Sequence, residues 1–344
     1  MTEQRPIQPT PVGALRFNTD TAKLEYFDGN EYVNIKTDSP EAITGGTRGL
    51  FQIGFDGSGY DDDVEFTNIS TTGNAAQFGN MTTAKGNGNF TFASRTRAIF
   101  GNGYTAPTST NVMDFCTIAS TGSFADFGDA VKKVEGSRGV SNSTRGIHSF
   151  GFQRSDWAYQ TDLQVTTIAT TGSTVDGGGD ATVQHGFGAS CSSPVRGIFA
   201  GGNPGQTNTI SYISIQTLGD TADFGDLTTG ANESPNMSSN AVRGIYFCGS
   251  PNGSTNTNTI DFITMATLGN ALDFGDSTYL SRGHMCTSSA TRAVRAGGYV
   301  APATVNTIDY VEIMTTGNAV DFGDMSSTGR GSGAANSNGH GGLG

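Results

Sequence analysis

The stretch NTIDYVEIMTTGNAVDFGDM, residues 306–325, decides the fold because it is one of six related copies. It places a run rich in β-branched and aromatic residues before a Thr-Gly turn, and it ends in Asp-Phe-Gly-Asp. The other copies begin at residues 62, 111, 162, 208 and 258. Each copy follows a short apolar run that starts with an arginine, and these are Arg48, Arg97, Arg145, Arg196, Arg243 and Arg292. Six copies spaced about 50 residues apart predict a repeat architecture.

Each repeat predicts four β-strands. In the last copy, Ile308 and Tyr310 alternate with Val311 and Ile313, so the strand is apolar on both faces and must be covered on both. The arginine run precedes this strand, and the Asp-Phe-Gly-Asp segment follows it. A segment rich in Ser, Thr and Ala before each arginine, such as 283–291, supplies a strand whose small residues suit a crowded position near an axis. The chain is therefore predicted to be all-β, with six four-stranded blades arranged as a β-propeller.

The two chain ends predict the domain boundaries and the closure of the ring. Residues 329–342 align with the first strand of the sixth repeat, and no complete repeat follows them. We therefore expect this segment to be the inner strand of the first blade; the alternative is that residues 40–47 occupy that position. The predicted domains are an N-terminal strand module, 1–40, and a propeller, 41–344, closed by strand 329–342.

The repeats resemble kelch repeats over about residues 45–344. The features that carry the resemblance are the double glycines Gly201-Gly202 and Gly297-Gly298, the aromatic residues Tyr212 and Tyr310 in the third strand, and the period. The tryptophan usual in the fourth kelch strand is absent, and the phenylalanine of Asp-Phe-Gly-Asp stands near its place. The resemblance implies the fold but says little about function, because propellers carry many activities.

The Asp-Phe-Gly tripeptide also occurs in protein kinases, where its aspartate holds magnesium. The rest of the kinase pattern is missing, since the sequence has no His-Arg-Asp loop and no strand lysine with a partner helix. Phe78, Phe127, Phe224, Phe274 and Phe322 recur at one position of the repeat, so we expect each to fill the same pocket between blades. The repeated arginines and aspartates are expected to form structural pairs.

Composition excludes several classes of function. The net charge of −12 disfavours binding to the phosphate backbone of nucleic acids. No apolar stretch approaches the roughly 20 residues of a membrane helix, and the first residues lack the apolar core of a signal peptide. We therefore expect no membrane insertion and synthesis without a cleaved leader. Four widely spaced cysteines predict small buried side chains, with neither a disulfide nor a zinc site.

Residues 11–35 have no copy later in the chain and predict three short strands. Leu15 and Phe17 in one strand, and Leu24 and Tyr26 in the next, alternate with polar residues. A segment of this size cannot bury such apolar residues by itself. We therefore expect it to pack on identical copies or on a larger assembly.

This segment resembles a module of bacteriophage tail fibres and related virion proteins. The matching residues are Gly13, Leu15, Arg16, Phe17, Asn18, Asp20, Thr21, Lys23, Glu25, Asp28 and Gly29. The resemblance implies attachment or oligomerisation, often as a trimer, within a virion that assembles in the host cytoplasm, with other virion proteins as partners.

The search for enzyme and metal sites returns only weak candidates. A sialidase would need a Ser-x-Asp-x-Gly-x-x-Trp box, which the chain lacks. The histidines that a copper oxidase would need, His148, His185, His284 and His340, fall at different points of their repeats. Asp61, Asp62 and Asp63 with Glu65 are closer to a solvated acidic loop than to a calcium cage. The sequence predicts no catalytic residues, no metal site and no cofactor.

Binding is predicted at the loops that follow the second and fourth strands, which are long and variable and leave the same end of the ring. Aromatic residues in these loops, which suit contact with a glycan or a protein surface, are Tyr60, Tyr104, Trp157, Tyr159 and Tyr299. The predicted function is that of a phage virion structural protein, a tail-fibre or surface-appendage protein that binds a host-surface receptor or glycan. The alternatives are a carbohydrate-active propeller enzyme and a passive capsid or tail decoration.

Overall fold

A computed structural model describes residues 11–19, 23–34, 46–56, 58–205, 207–230, 234–326 and 331–344. The chain divides into two compact units, residues 1–44 and 45–344. Apart from one turn of 3₁₀-helix at Gly341–Leu343, the regular structure of the described residues is β. The all-β class predicted from the sequence is confirmed.

The first unit contains an antiparallel three-stranded sheet of β1 (Leu15–Asn18), β2 (Lys23–Phe27) and β3 (Tyr32–Asn34), in that order. Glu25 holds it together: its carboxylate accepts from Arg16 Nε at 2.7 Å and from Asn18 Nδ2 at 2.9 Å. The guanidinium of Arg16 also lies 3.7 Å from the ring centroid of Tyr32. These contacts explain why Arg16 and Asn18 are part of the residue pattern noted for this segment.

The turn between β2 and β3 explains two more residues of that pattern. Asp28 Oδ1 accepts from the amides of Asn30 and Glu31 at 2.7 and 2.8 Å, and Gly29 has a φ of +110°, which favours glycine. The two remaining pattern residues in the adjoining turn, Asp20 and Thr21, lie outside the described residues.

The second unit contains all the other strands. They are β4 (Arg48–Gln52), β5 (Asp63–Asn68), β6 (Ala76–Asn80), β7 (Phe90–Ala93), β8 (Arg97–Gly101), β9 (Val112–Thr117), β10 (Ala125–Asp129), β11 (Glu135–Ser141), β12 (Arg145–Gln153), β13 (Ala158–Tyr159), β14 (Asp162–Thr167), β15 (Val175–Asp180), β16 (Ala189–Ser192), β17 (Arg196–Ala200), β18 (Thr209–Ser214), β19 (Ala222–Asp226), β20 (Asn236–Ser239), β21 (Arg243–Phe247), β22 (Thr259–Thr264), β23 (Leu272–Asp276), β24 (Met285–Ser288), β25 (Arg292–Ala296), β26 (Tyr299–Val300), β27 (Ala303–Thr304), β28 (Thr307–Glu312), β29 (Val320–Asp324) and β30 (Ala334–Ser337).

These strands form a series of small antiparallel sheets, each with a first, second, third and fourth strand. In chain order they are sheet 1 (β30-β4-β5-β6), sheet 2 (β7-β8-β9-β10), sheet 3 (β11-β12-β14-β15), sheet 4 (β16-β17-β18-β19), sheet 5 (β20-β21-β22-β23) and sheet 6 (β24-β25-β28-β29). The short β13 pairs with β12, and β26 pairs with β27. The strand beside β4 is the C-terminal β30, which lies within the segment 329–342 that the repeat alignment singles out. The second strand of each sheet begins at one of the repeated arginines.

Contacts between the sheets run in a cycle. The first strands contact one another in the order β30, β7, β11, β16, β20, β24 and back to β30. Near the fourth strands, the Thr-Gly turn of one sheet donates a backbone hydrogen bond to the preceding sheet, as from Gly122 N to Phe78 O at 2.9 Å. The equivalent bond from Gly73 N to Phe322 O, at 2.8 Å, joins sheet 6 to sheet 1.

Apolar clusters fill the spaces between neighbouring sheets. One cluster combines Phe51 of sheet 1 with Val294 of sheet 6, and five others join the remaining neighbours in turn. The third strands contribute to the clusters on both of their faces, as the alternation of their apolar residues predicts.

The phenylalanine of each Asp-Phe-Gly-Asp copy is the extra residue of a β-bulge. In sheet 2 the register shifts between Asp126 and Gly128, and Phe127 turns into the core, where it is 2% exposed. Its ring meets that of Phe115 edge to face, with centroids 5.8 Å apart. A Cβ on Gly128 would lie 2.6 Å from the carbonyl carbon of Gly172 in the next sheet, so glycine is required here. The equivalent bulge residues are Phe78, Phe224, Phe274 and Phe322.

The repeated arginines link neighbouring sheets, but through partners other than those expected. The guanidinium of Arg97 lies 4.6 Å from the centroid of Phe115, and its Nη1 donates to the carbonyls of Ile168 and Ala169 in the next sheet, both at 2.9 Å. Carbonyls of the next sheet likewise accept from Arg48, Arg145, Arg196, Arg243 and Arg292. The expectation of arginine–aspartate pairs is therefore wrong for these residues. Two successive carbonyls at a strand end match the planar donors of a guanidinium.

Serines near the ends of the first strands join those strands to one another. Ser239 Oγ donates to Ser192 O, and Ser288 Oγ donates to Ser239 O, each at 2.7 Å. Ser337 of β30 continues the series by donating to Ser288 O. The small residues of the first strands thus serve two purposes. They allow neighbouring first strands to lie close together, and their hydroxyls donate hydrogen bonds to backbone carbonyls of the preceding first strand.

Candidate functional site

The chain enters each first strand through a residue in the left-handed backbone region. These residues are Asn87, Gly136, Phe187, Ser234, Gly283 and Ser332, with φ between +43° and +70°. Backbone hydrogen bonds connect several of them, for example Phe187 N to Gly136 O at 2.9 Å and Ser332 N to Gly283 O at 2.6 Å. Non-glycine residues in this conformation carry strain, which is found most often at functional sites.

A cavity of about 720 Å³ opens at these strand entries. Its lining combines aromatic rings with polar side chains and comprises Phe55, Tyr60, Asn87, Phe187, Asn203, Ser234, Arg282, Gly283, Tyr299, Pro302, Ala303, Thr304, Gly331 and Ser332. We call it the aromatic cavity. Its volume falls within the roughly 300–1,000 Å³ of small-molecule sites, and aromatic walls with a few polar groups are typical of them.

The rings of Phe55 and Tyr60, both in sheet 1, line the aromatic cavity, and Tyr104 supports them. Tyr60 meets Phe55 and Tyr104 edge to face, with ring centroids 5.8 and 5.4 Å away. Tyr60 also packs over Gly86, where an added Cβ would lie 2.7 Å from its ring. Burial raises the pKa of the Tyr60 hydroxyl, and the nearby Glu135 raises it further. The hydroxyl is therefore a neutral hydrogen-bond donor at neutral pH.

The lining of the cavity also includes Tyr299 and Arg282. The guanidinium of Arg282 lies 4.9 Å from the Tyr299 centroid, and its Nη1 donates to Gly253 O at 3.0 Å. The backbones of the same two residues form an isolated β-bridge. The cavity thus has a guanidinium held beside an aromatic face.

An ion pair with a buried carboxylate and a partly exposed arginine lies next to Tyr104. Arg154 Nη2 approaches Glu135 Oε1 at 2.7 Å, and the Arg154 guanidinium lies 4.3 Å from the Tyr104 centroid. Burial raises the pKa of the Glu135 carboxyl, and Arg154 opposes that shift. Because this pair holds Tyr104, it fixes the position of a ring in contact with Tyr60.

Trp157 and Tyr159 form a separate aromatic group in the long loop of sheet 3. Both contact the ring of Phe152, with centroids 5.7 and 5.3 Å away. Trp157 is 74% exposed, whereas Tyr159 packs against Gly186 much as Tyr60 packs against Gly86. Of the five aromatic residues singled out from the sequence, Tyr60 and Tyr299 line the aromatic cavity, and Tyr104 supports it. Trp157 and Tyr159 are not among its lining residues.

Sequence reasoning missed several lining residues, above all Phe55, Phe187 and Arg282. Phe55 lies three residues after the second strand of sheet 1, and Phe187 and Arg282 lie in loops that follow fourth strands. For Arg282, the available signal was a charged residue where other repeats carry glycine, as at Gly86 and Gly186.

Buried carboxylates in the third strands form ion pairs and hydrogen bonds that connect neighbouring sheets. Asp309 pairs with Arg295 at 2.6 Å and Asp114 with Lys85 at 2.9 Å, and all four side chains are inaccessible to solvent. The carboxylates Glu65, Asp114, Asp261 and Asp309 accept from hydroxyls that follow the preceding fourth strand, namely Ser326, Thr82, Thr228 and Thr278. These acids therefore hold neighbouring sheets together.

The other groups considered as metal ligands or nucleophiles either accept hydrogen bonds within the protein or are buried. The carboxylate oxygens of Asp61, Asp62 and Asp63 lie within 4.8 Å of one another, but Asp62 and Asp63 accept from Asn80 and Asp61 accepts from the Asp63 amide. The four cysteines are buried and unpaired, and burial raises the thiol pKa of Cys116 to about 12. Such a thiol is unreactive at neutral pH.

No protein-family model matches the chain, and no curated protein matches it. Within the described ranges, no helix has the length and apolar character needed to cross a membrane.

Proposed function

We propose that this chain is a bacteriophage virion structural protein, a tail-fibre or surface-appendage protein whose second unit is a six-bladed kelch-like β-propeller that binds a host-surface glycan. The observation that carries the proposal is the aromatic cavity, whose lining brings together Phe55, Tyr60, Phe187, Tyr299 and Arg282.

The propeller assignment draws on the cyclic contacts. Each four-stranded sheet corresponds to one repeat, its first strand touches the first strands of both neighbours, and sheet 6 bonds to sheet 1. Because β30 pairs with β4, the second strand of sheet 1 is not left at a sheet edge, and propellers protect their sheets in this way.

The ligand class follows from the chemistry of the aromatic cavity. Aromatic faces pack against the C–H faces of sugar rings, and amide and guanidinium groups such as those of Asn87, Asn203 and Arg282 suit sugar hydroxyls. A cavity with room for a small ligand favours a glycan over a flat protein epitope.

The first unit supports placement in an assembly. Leu15 and Phe17 are 63% and 61% exposed, and Leu24 and Tyr26 are also exposed. A three-stranded sheet with this many uncovered apolar side chains gains stability by burying them against another chain. We therefore assign this sheet to attachment or oligomerisation through other virion proteins or further copies of the chain.

Alanine at both Tyr60 and Tyr299 is expected to weaken adsorption to host cells at least about tenfold, because two stacking surfaces are lost. The measurement is binding of the purified full-length chain to host cells, with thermal unfolding as the check that the fold survives. Phenylalanine at the same two positions keeps the rings and is expected to retain most of the binding.

The double change Trp157→Ala and Tyr159→Ala separates the loop aromatics from the cavity. Loss of adsorption in this variant alone would move the binding site to the loop of sheet 3. Unchanged adsorption in both alanine variants would overturn the receptor role and favour a passive decoration. Turnover of host glycans, abolished by replacing one acidic residue, would instead favour an enzyme.

A further inference from the structure

A second cavity, of about 60 Å³, lies among the first strands. Polar residues of β16, β20 and β24 line it, together with Arg138 of β11 and His340 of the C-terminal segment. A water molecule needs roughly 10–15 Å³ of such space, so the cavity has room for a small ion with one or more waters.

Arg138 is the cation in this cavity, and its environment is unlike that of other buried cations in the chain. Its side chain is buried, Nε donates to Gly188 O, and Nη1 donates to Ser137 O at 3.1 Å. Lys85 and Arg295 each have a carboxylate within 3 Å, but within the described ranges no carboxylate forms an ion pair with Arg138. Burial without a counter-charge lowers the pKa of Arg138 to about 10, which leaves it charged at neutral pH.

Two hydroxyls that line the cavity have no hydrogen-bond partner among the described residues. The hydroxyls Ser238 Oγ and Thr287 Oγ1 are buried without a hydrogen-bond partner among the described residues. Both residues line the cavity. A hydroxyl can rotate to donate to an anion, so these two groups and the guanidinium form a set of donors.

An uncompensated buried guanidinium carries a large desolvation penalty, which a counter-ion in contact with it would offset. The cavity volume suits a small ion accompanied by one or more waters. We propose that this cavity binds a small monovalent anion, of which chloride is the representative, held by Arg138 and the hydroxyls of Ser238 and Thr287. The site is separate from the aromatic cavity and does not depend on the proposed host-binding function.

The test is the thermal midpoint of the full chain in sodium chloride and in sodium methanesulfonate at equal ionic strength. A ligand that binds the folded state raises the midpoint as its concentration increases. We expect the midpoint to rise with chloride and not with the larger methanesulfonate, and we expect Arg138→Met to abolish the difference. Lys133→Met, which removes an exposed cation, is the matched control and should keep it.

A crystal of the full chain soaked in bromide gives an independent readout that needs no variant. The expected result is an anomalous peak beside the Arg138 guanidinium. Equal midpoints in the two salts for the unmodified chain, or bromide absent from this cavity, would overturn the proposal. A chloride effect that persists in Arg138→Met would place the anion elsewhere and would overturn it as well.

Discussion

A chain that ends at Ser326 is expected to lose cooperative folding of its second unit, or to have a free energy of unfolding lower by roughly 5 kcal/mol or more. The deletion removes β30, so β4 loses its antiparallel partner from Gly49 to Gln52. It also removes the bond from Ser337 to Ser288 O and the acceptor of Thr91 Oγ1 at Ala335 O. The exposed edge of β4 would then favour aggregation.

A chain that ends at Asn338 is the matched control, because it keeps β30 and removes only the last six residues. These include His340, whose Nε2 contacts Ala93 O at 3.0 Å, and Leu343, whose carbonyl accepts from Arg95 at 2.9 Å. We expect this control to unfold cooperatively at a lower denaturant midpoint. If the chain ending at Ser326 unfolded at the midpoint of the full chain, β30 would contribute nothing to closure.

Stability is expected to fall steeply as the pH drops from about 6.5 to 4, because the histidines of the second unit are buried in their neutral form. Burial lowers the pKa of His148 to about 3 and those of His185 and His340 to about 4, and it lowers that of His284 well below 6.5. The unfolded chain takes up protons near pH 6.5 and the folded chain does not. This contribution is therefore complete above pH 6.5 and is lost as the pH falls through the folded values.

Between its folded and unfolded pKa values, each such histidine changes the free energy of unfolding by about 1.4 kcal/mol per pH unit. Glu135 and Asp261, whose pKa values burial raises, oppose the trend in the lower part of the range, because they bind protons more readily in the folded state. Urea unfolding across this pH range measures the slope. His340→Gln keeps a donor for Ala93 O and an acceptor for Gly342 N, and it should flatten the slope by one histidine's share. A slope that does not change would mean that His340 titrates normally in the folded chain.

The sequence predicted the repeat well because each copy meets the same neighbours. The arginine runs begin the second strands, and the phenylalanines of Asp-Phe-Gly-Asp occupy equivalent buried positions. The partners of the arginines were predicted wrongly, because opposite charges suggested aspartates when backbone carbonyls of the next sheet stood closer. Side-chain charge is visible in a sequence, whereas the direction of a carbonyl is not.

The candidate site was only partly predictable for a related reason. Tyr60 and Tyr299 could be selected because they stand in variable loops. Phe187 lies in a loop after a fourth strand, and its φ of +57° accompanies a hydrogen bond from its amide to Gly136 O, about fifty residues earlier in the chain. Its place in the aromatic cavity therefore depends on tertiary contacts between sheets, which the repeat pattern does not describe.

A cryo-electron microscopy map of the phage particle that carries this chain tests the central proposal most directly. The proposal predicts density for the chain on the particle, with the sheet that bears Leu15 and Phe17 buried against another virion protein or further copies of itself. It also predicts a six-bladed ring whose aromatic cavity, with Tyr60 and Tyr299, faces away from the particle. Absence of the chain from the purified particle, or an aromatic cavity turned inward and covered, would contradict it.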